Sequence, residues 1–202
     1  MFENKEIEEN HKMRIFDNET LEFLSKCHYS IPFILFIPVV IIFFSKSIML
    51  GLSFTMSIII FIIAFLAWTL FEYFAHANLL HTFSRRLGMN NFLQKSHTRH
   101  HDFPHDDTRV VLSPLVSIPG AFLFYFIFIS TMGKVYGCCF FSGFVSGYLI
   151  YDLVHYNVHH KNFKWRWFQV LKRHHLMHHF KYPEKNFGLS TTIWDKLFKT
   201  VK

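Results

Sequence analysis

LSFTMSIIIFIIAFLAWTLF, residues 52–71, runs for twenty residues without a charge and passes directly into EYFAHANLLH, residues 72–81. A bilayer core about 30 Å thick needs roughly 20 helical residues, so the first stretch reads as a membrane-spanning helix and the second as its histidine-bearing end. Three more apolar runs flank it, at residues 31–44, 110–132 and 135–154. The last two are long enough to span. The first is interrupted by Lys46, which leaves two readings: Ile48, Met49 and Leu50 extend it across while Lys46 snorkels, or it is a re-entrant partner of the second. The expectation is an all-α integral membrane fold with about four transmembrane helices.

Composition points the same way. The 202 residues are 51% hydrophobic and include 27 Phe, more apolar surface than a small soluble domain can bury. The net charge of +7 could signal nucleic acid, but the basic residues flank apolar runs and no soluble binding motif accompanies them, so nucleic acid is excluded as a partner. Cys27, Cys138 and Cys139 imply no disulfide framework. Residues 1–30 read as a polar, acid-rich tail (Glu3, Glu6, Glu8, Glu9) that is not translocated, lacking the pattern of a secretory signal.

The connections at 45–51 and 133–136 carry one lysine each, Lys46 and Lys134. The remaining cations lie in the tail, in the segment from Arg85 to Arg109, and after His159. The positive-inside rule places these on the cytoplasmic face, which puts both histidine-rich regions on one side, able to fold into a common cap.

Thirteen of the 15 histidines fall between His76 and His179. They occur as His76 and His81, then His97, His100 and His101 (HTRHH), His155 and His159 (HYNVH), and His175, His178 and His179 (HLMHH). Positions three and four apart share a helix face, so each HxxHH is expected to present three imidazoles to one point and HxxxH two. The five-residue step from His76 to His81 puts that pair about 140° apart on a regular helix, so one sits at a helix end or a neighbouring helix brings a second metal between them. One ion rarely takes more than six donors, so ten histidines argue for two; the absence of Cys ligands argues against a zinc finger. His105, His160 and His174 lie off the spacing and read as supporting or surface residues. Asp152 reads as an acceptor for a ligand imidazole, and Asp106 either does the same or caps a turn.

WTLFEYFAHANLLH from Trp68, HTRHHDFPHDDTRVVLSP from His97, GYLIYDLVHYNVHH from Gly147 and KRHHLMHHFKYPEKNFGLSTTIWDKLFKT from Lys172 together resemble the fatty acid hydroxylase superfamily, nearest its fatty acid 2-hydroxylases. The resemblance implies a membrane hydroxylase domain over residues 31–202, with a cytosolic helical cap enclosing a dinuclear metal site. It implies as ligands His76, His81, His97, His100, His101, His155, His159, His175, His178 and His179. It further implies two metal ions, iron by the chemistry with zinc also accommodated, together with O2 and an external electron donor. The expected reaction is hydroxylation at the alpha carbon of a fatty acyl chain or ceramide. With no haem-binding HPGG present, electrons are expected from a separate carrier such as cytochrome b5 or a ferredoxin-type donor. The expected site is the endoplasmic reticulum in a eukaryote or the inner membrane in a bacterium. Ala77 and Thr98 depart from the family pattern without removing a ligand. Two alternatives stand beside this reading: a related sterol or lipid desaturase or hydroxylase, and a non-catalytic membrane protein that stores or transports metal.

Overall fold

The computed structural model describes residues 14–82 and 92–202. Glu3, Glu6, Glu8, Glu9 and Arg85, used above, lie outside the described residues. The described elements are all helical: α1 (Glu19–Ser25), α2 (Ile31–Met49), α3 (Phe54–Phe74) running into a π-helical turn (Ala75–Thr82), α4 (Phe92–Asp102), α5 (Pro114–His160), α6 (Arg166–Phe180) and α7 (Ile193–Leu197).

The first apolar run does extend through Lys46 to Met49. Gly51 then turns the chain at φ 100°, a conformation that favours glycine, and the Ser53 side chain accepts from Met56 N to start α3. Pro114 opens α5, capped by Ser113. The residues called α5 are two helical arms, because Gly133 leaves the helix at φ 74°, ψ 170°. The arms fold back on each other: Phe128 meets Phe140 with ring centroids 4.7 Å apart, and Phe124 meets Phe144 at 4.8 Å. Lys46 and Lys134 both lie near Cys138, which puts the Gly51 and Gly133 turns at one end of the bundle.

Aromatic residues hold the interior. Phe36, Phe141, Val145, Tyr148 and Leu149 form the main buried cluster, with Trp68 edge-on to Phe144 at 5.0 Å. Close approach depends on glycine. A Cβ on Gly143 would sit 2.4 Å from the Phe61 carbonyl oxygen, and one on Gly147 would sit 2.4 Å from Trp68 Cβ. Small residues at such points let apolar helices pack where lipid removes the usual driving force. Ile34, Ile41, Ile42, Ile62, Ile63 and Leu66 face outward from α2 and α3. Three helices, Ile31–Met49, Phe54–Thr82 and Pro114–His160, are long and apolar enough to cross a membrane.

At the opposite end from the glycine turns, α1 is docked on the segment after α4. Arg109 donates to both Glu22 and Asp106, Cys27 N donates to the Thr108 carbonyl (2.7 Å), and Ser113 Oγ donates to the Leu24 carbonyl (2.7 Å).

Candidate metal centre

The ten histidines singled out above gather into two adjoining groups of five. His76, His81, His97, His101 and His178 form the first; His100, His155, His159, His175 and His179 form the second. Within each group the ligand-capable nitrogens all lie within 4.8 Å of one another. The groups touch where the rings of His101 and His179 stack, 4.2 Å apart.

Neither HxxHH motif sends three imidazoles to one point. In α4, His97 and His101 enter the first group and His100 the second; in α6, His175 and His179 enter the second and His178 the first. At 100° per residue, positions i and i+4 are about 40° apart whereas i+3 lies about 60° to the other side, so two flanking helices can divide each motif between two centres. His76 and His81 meet in yet another way. They lie in a π-helical turn, whose i→i+5 bonding stacks them on one face, and their rings are 5.1 Å apart. The pair therefore belongs to a single group, with His81 in the last turn of the helix, next to its final residue Thr82.

Within the first group, Nε2 of His81 and His97 are 2.9 Å apart, those of His97 and His101 3.1 Å, and those of His101 and His178 3.2 Å. In the second, the His100–His155 and His159–His175 separations are both 2.9 Å. Two nitrogens bound to one ion at about 2.0–2.1 Å are about 2.8–3.4 Å apart for bond angles between 90° and tetrahedral. The protonation pattern fits as well. His76 Nδ1–H donates to the Phe187 carbonyl (2.6 Å) and His178 Nδ1–H to the Lys185 carbonyl (2.8 Å). A neutral imidazole has one N–H, so the Nε2 atoms of both face the group as lone pairs, and His76 Nε2 is buried without a hydrogen-bond partner.

Burial, followed by the neighbouring imidazoles, holds His97, His100 and His175 well below the usual histidine value. His178 is pushed from 6.5 down to about 3, by burial first and His76 second. Between those pH values an unfolded chain takes up protons that the folded chain refuses, so protonation favours unfolding. The metal-free protein is expected to lose stability as pH falls from about 6.5 toward 3, and bound metal to be released over the same range. Thermal melting with and without chelator at about pH 7.5, 6 and 4.5 checks this; a pH-independent midpoint would refute it.

Asp106 and Asp152 do not bond a histidine. Asp106 accepts from Thr108 N (3.0 Å), Thr108 Oγ1 (2.6 Å) and Arg109, which makes it the cap of its turn. Asp152 is fully buried, and neither oxygen closes a hydrogen bond. The acceptors that orient imidazoles are instead backbone carbonyls of the segment after α6, which sequence reasoning missed because a carbonyl has no residue-type signal. His174 bonds Asp195 (3.0 Å), and His105 is exposed.

Residues 61–200 match the fatty acid hydroxylase family. The chain belongs to that family. A dihydroceramide fatty acyl 2-hydroxylase of Arabidopsis thaliana is 33% identical over 93% of this chain and 79% of its own length. A rat fatty acid 2-hydroxylase is 31% identical over 94% of this chain and 56% of that protein. Among solved structures, full-length scs7p, in which only the hydroxylase domain is visible, superposes with a TM-score of 0.84 at 28% identity, covering 93% of this chain and 71% of that one. Within this hydroxylase family the match takes in every histidine of both groups, since all lie between residues 61 and 200.

An apolar cavity of about 200 Å³ opens beside the first group, lined by Phe36, Trp68, His76, Phe124, Phe144 and Tyr148 among others. A smaller one of about 70 Å³ touches His97, His100 and His155 and shares Leu80, Leu93, Leu112, Val116 and Tyr151 with it. Each group thus borders an apolar-lined cavity, and the two cavities share a wall.

Proposed function

We propose that this chain is a multi-pass membrane hydroxylase that inserts one oxygen at the alpha carbon of a long acyl chain, free or amide-linked as in ceramide. The observation that carries the reading is the pair of five-histidine groups bordering two apolar-lined cavities that share a wall, within a bundle of apolar helices. The relatives named for fatty acid 2-hydroxylation support the reaction and the substrate class.

All ten histidines are proposed as ligands of two ions, iron for this chemistry. Iron held there supplies dioxygen activation and hydrogen abstraction from an unactivated C–H bond, the chemistry no side chain provides. The chain's own part is to keep the imidazoles neutral, exclude water, and seat the substrate. Trp68, Phe124 and Phe144 offer a dry wall for an acyl tail, and the buried Ser117 hydroxyl offers a hydrogen bond to its polar end. Asp152 is proposed to orient the neighbouring Tyr148 hydroxyl rather than a histidine. The overall balance takes one O2, two electrons and two protons to give the alcohol and water, with the electrons from a separate carrier such as cytochrome b5 or a ferredoxin-type donor.

The two arms of α5 with α2 and α3 give four spans, and α4, α6 and α7 form the cap, on the cytoplasmic face by the distribution of Lys and Arg. The membrane is that of the endoplasmic reticulum in a eukaryote and the inner membrane in a bacterium. A transport path would string ligands along the spans, whereas these groups gather at one end.

Reconstituted protein supplied with iron, reductant, O2 and either a long-chain fatty acid or a ceramide is expected to yield a product one oxygen heavier, with the hydroxyl located at C2 by fragmentation. A double bond in place of the hydroxyl would assign a desaturase, and unchanged lipid with full iron occupancy and reductant would end the proposal.

A further inference from the structure

The two groups differ in what stands behind their imidazoles. In the first, His76 and His178 each donate Nδ1–H to a carbonyl of residues 185 and 187. In the second, the Nδ1 atoms of His100, His175 and His179 are buried and meet no acceptor, and His155 Nδ1 faces the Val110 backbone without closing a hydrogen bond.

The carbonyls in question belong to a segment fastened at two points. Asp195 is fully buried and accepts from Phe187 N (2.8 Å), Gly188 N (2.7 Å), Thr200 Oγ1 (2.7 Å) and His174 Nε2 (3.0 Å). Gly188 permits this, since a Cβ there would stand 2.8 Å from the Asp195 carboxylate and 2.3 Å from the Thr191 carbonyl oxygen. Glu72, one helical turn before His76, accepts from Leu189 N (2.6 Å), Ser190 N (2.9 Å) and Ser190 Oγ. Each carboxylate thus binds backbone N–H groups flanking Phe187 and sets where its carbonyl points.

We infer that the two metal positions are unequal, the first group being the tighter because Asp195 and Glu72 pin the C-terminal segment whose carbonyls orient His76 and His178. Acceptors of this kind fix the tautomer and raise the basicity of the ligating nitrogen, and losing one typically costs about 10–100-fold in metal affinity. Asp195 and Glu72 are positioning residues: they touch no ion, and their effect is confined to one of two.

This inference rests on the dimetal reading, and the test separates the two. The full chain, purified and loaded with zinc alone, is challenged with excess chelator, and release of each ion is followed. One zinc is expected to leave about 10–100 times faster than the other. His179→Ala should remove the fast ion and keep the slow one. Asp195→Asn should accelerate the slow ion and leave the fast one unchanged, an outcome that general loosening of the fold would not produce. Thr200→Val, which removes the hydroxyl that donates to the Asp195 carboxylate (2.7 Å) and also pairs with Tyr73 (3.1 Å) while keeping the carboxylate itself, serves where Asp195→Asn does not fold and should shift the slow phase in the same sense. Two zinc ions leaving in a single phase, or His179→Ala removing the slow ion, would overturn the inequality and leave the dimetal reading standing. A wild-type chain that takes up no zinc would overturn both.

Discussion

His178→Ala is expected to lower hydroxylated product by more than about a hundredfold, the upper end of what is lost when only a supporting partner of a ligand is removed. The side chain is fully buried, its Nδ1–H is committed to the Lys185 carbonyl, and its Nε2 lies 3.2 Å from that of His101. No neighbouring side chain can put a lone pair in the same place, because the other positions around the first group are already histidines. His105→Ala is the matched control: that ring is exposed and belongs to neither group, so product should stay near the wild-type level. Lipid profiling of cells expressing each variant, normalised to protein, makes the comparison. Wild-type product from His178→Ala would refute the role given to these imidazoles.

Arg109→Ala should be the most damaging single change outside the histidines, costing about 3–5 kcal/mol, as expected when one partner of a buried ion pair is removed. The arginine side chain is 4% exposed and lies between Glu22 at 9% and Asp106 at 11%, donating to both. Truncation would strand two carboxylates and free α1 from the segment that walls the smaller cavity through Val110, Leu112 and Ser113. Arg109→Lys keeps the charge but cannot serve both acceptors with a planar fork, so it should recover only part of the loss. Thermal melting of the purified proteins measures this, and an Arg109→Ala midpoint equal to wild type would contradict the account.

Arg109 also marks a limit of reading along the chain. It follows the HTRHH motif closely in the chain, yet its partner Glu22 is 87 residues away in a segment that reads as a polar tail. Nothing local distinguishes Glu22 from the other acidic residues around it. Long-range pairing of two charges is set by how the elements dock, and docking is not written in local periodicity.

The spans show the opposite case. An uncharged run of twenty residues can satisfy its backbone in a bilayer only as a helix, so α3 was legible from residues 52–71 alone, and the arms of α5 nearly so. The boundaries moved where polar residues continued the helix: α2 runs through Lys46, whose ammonium lies over the Phe43 ring at 5.9 Å, and α5 carries His155 and His159 beyond its apolar stretch.

The sequence by itself determined that this chain forms apolar helices and carries ten histidines at ligand spacing, because both properties depend on residue type and on helical periods that every chain shares. Only the tertiary structure decided how those histidines divide. The π-helical register at His76 and His81, the sharing of each HxxHH between two centres, and the carbonyls behind His76 and His178 all depend on which surface faces each helix. An imidazole's direction is fixed by the helix pair that flanks it, and a carbonyl's by the carboxylates that hold its loop.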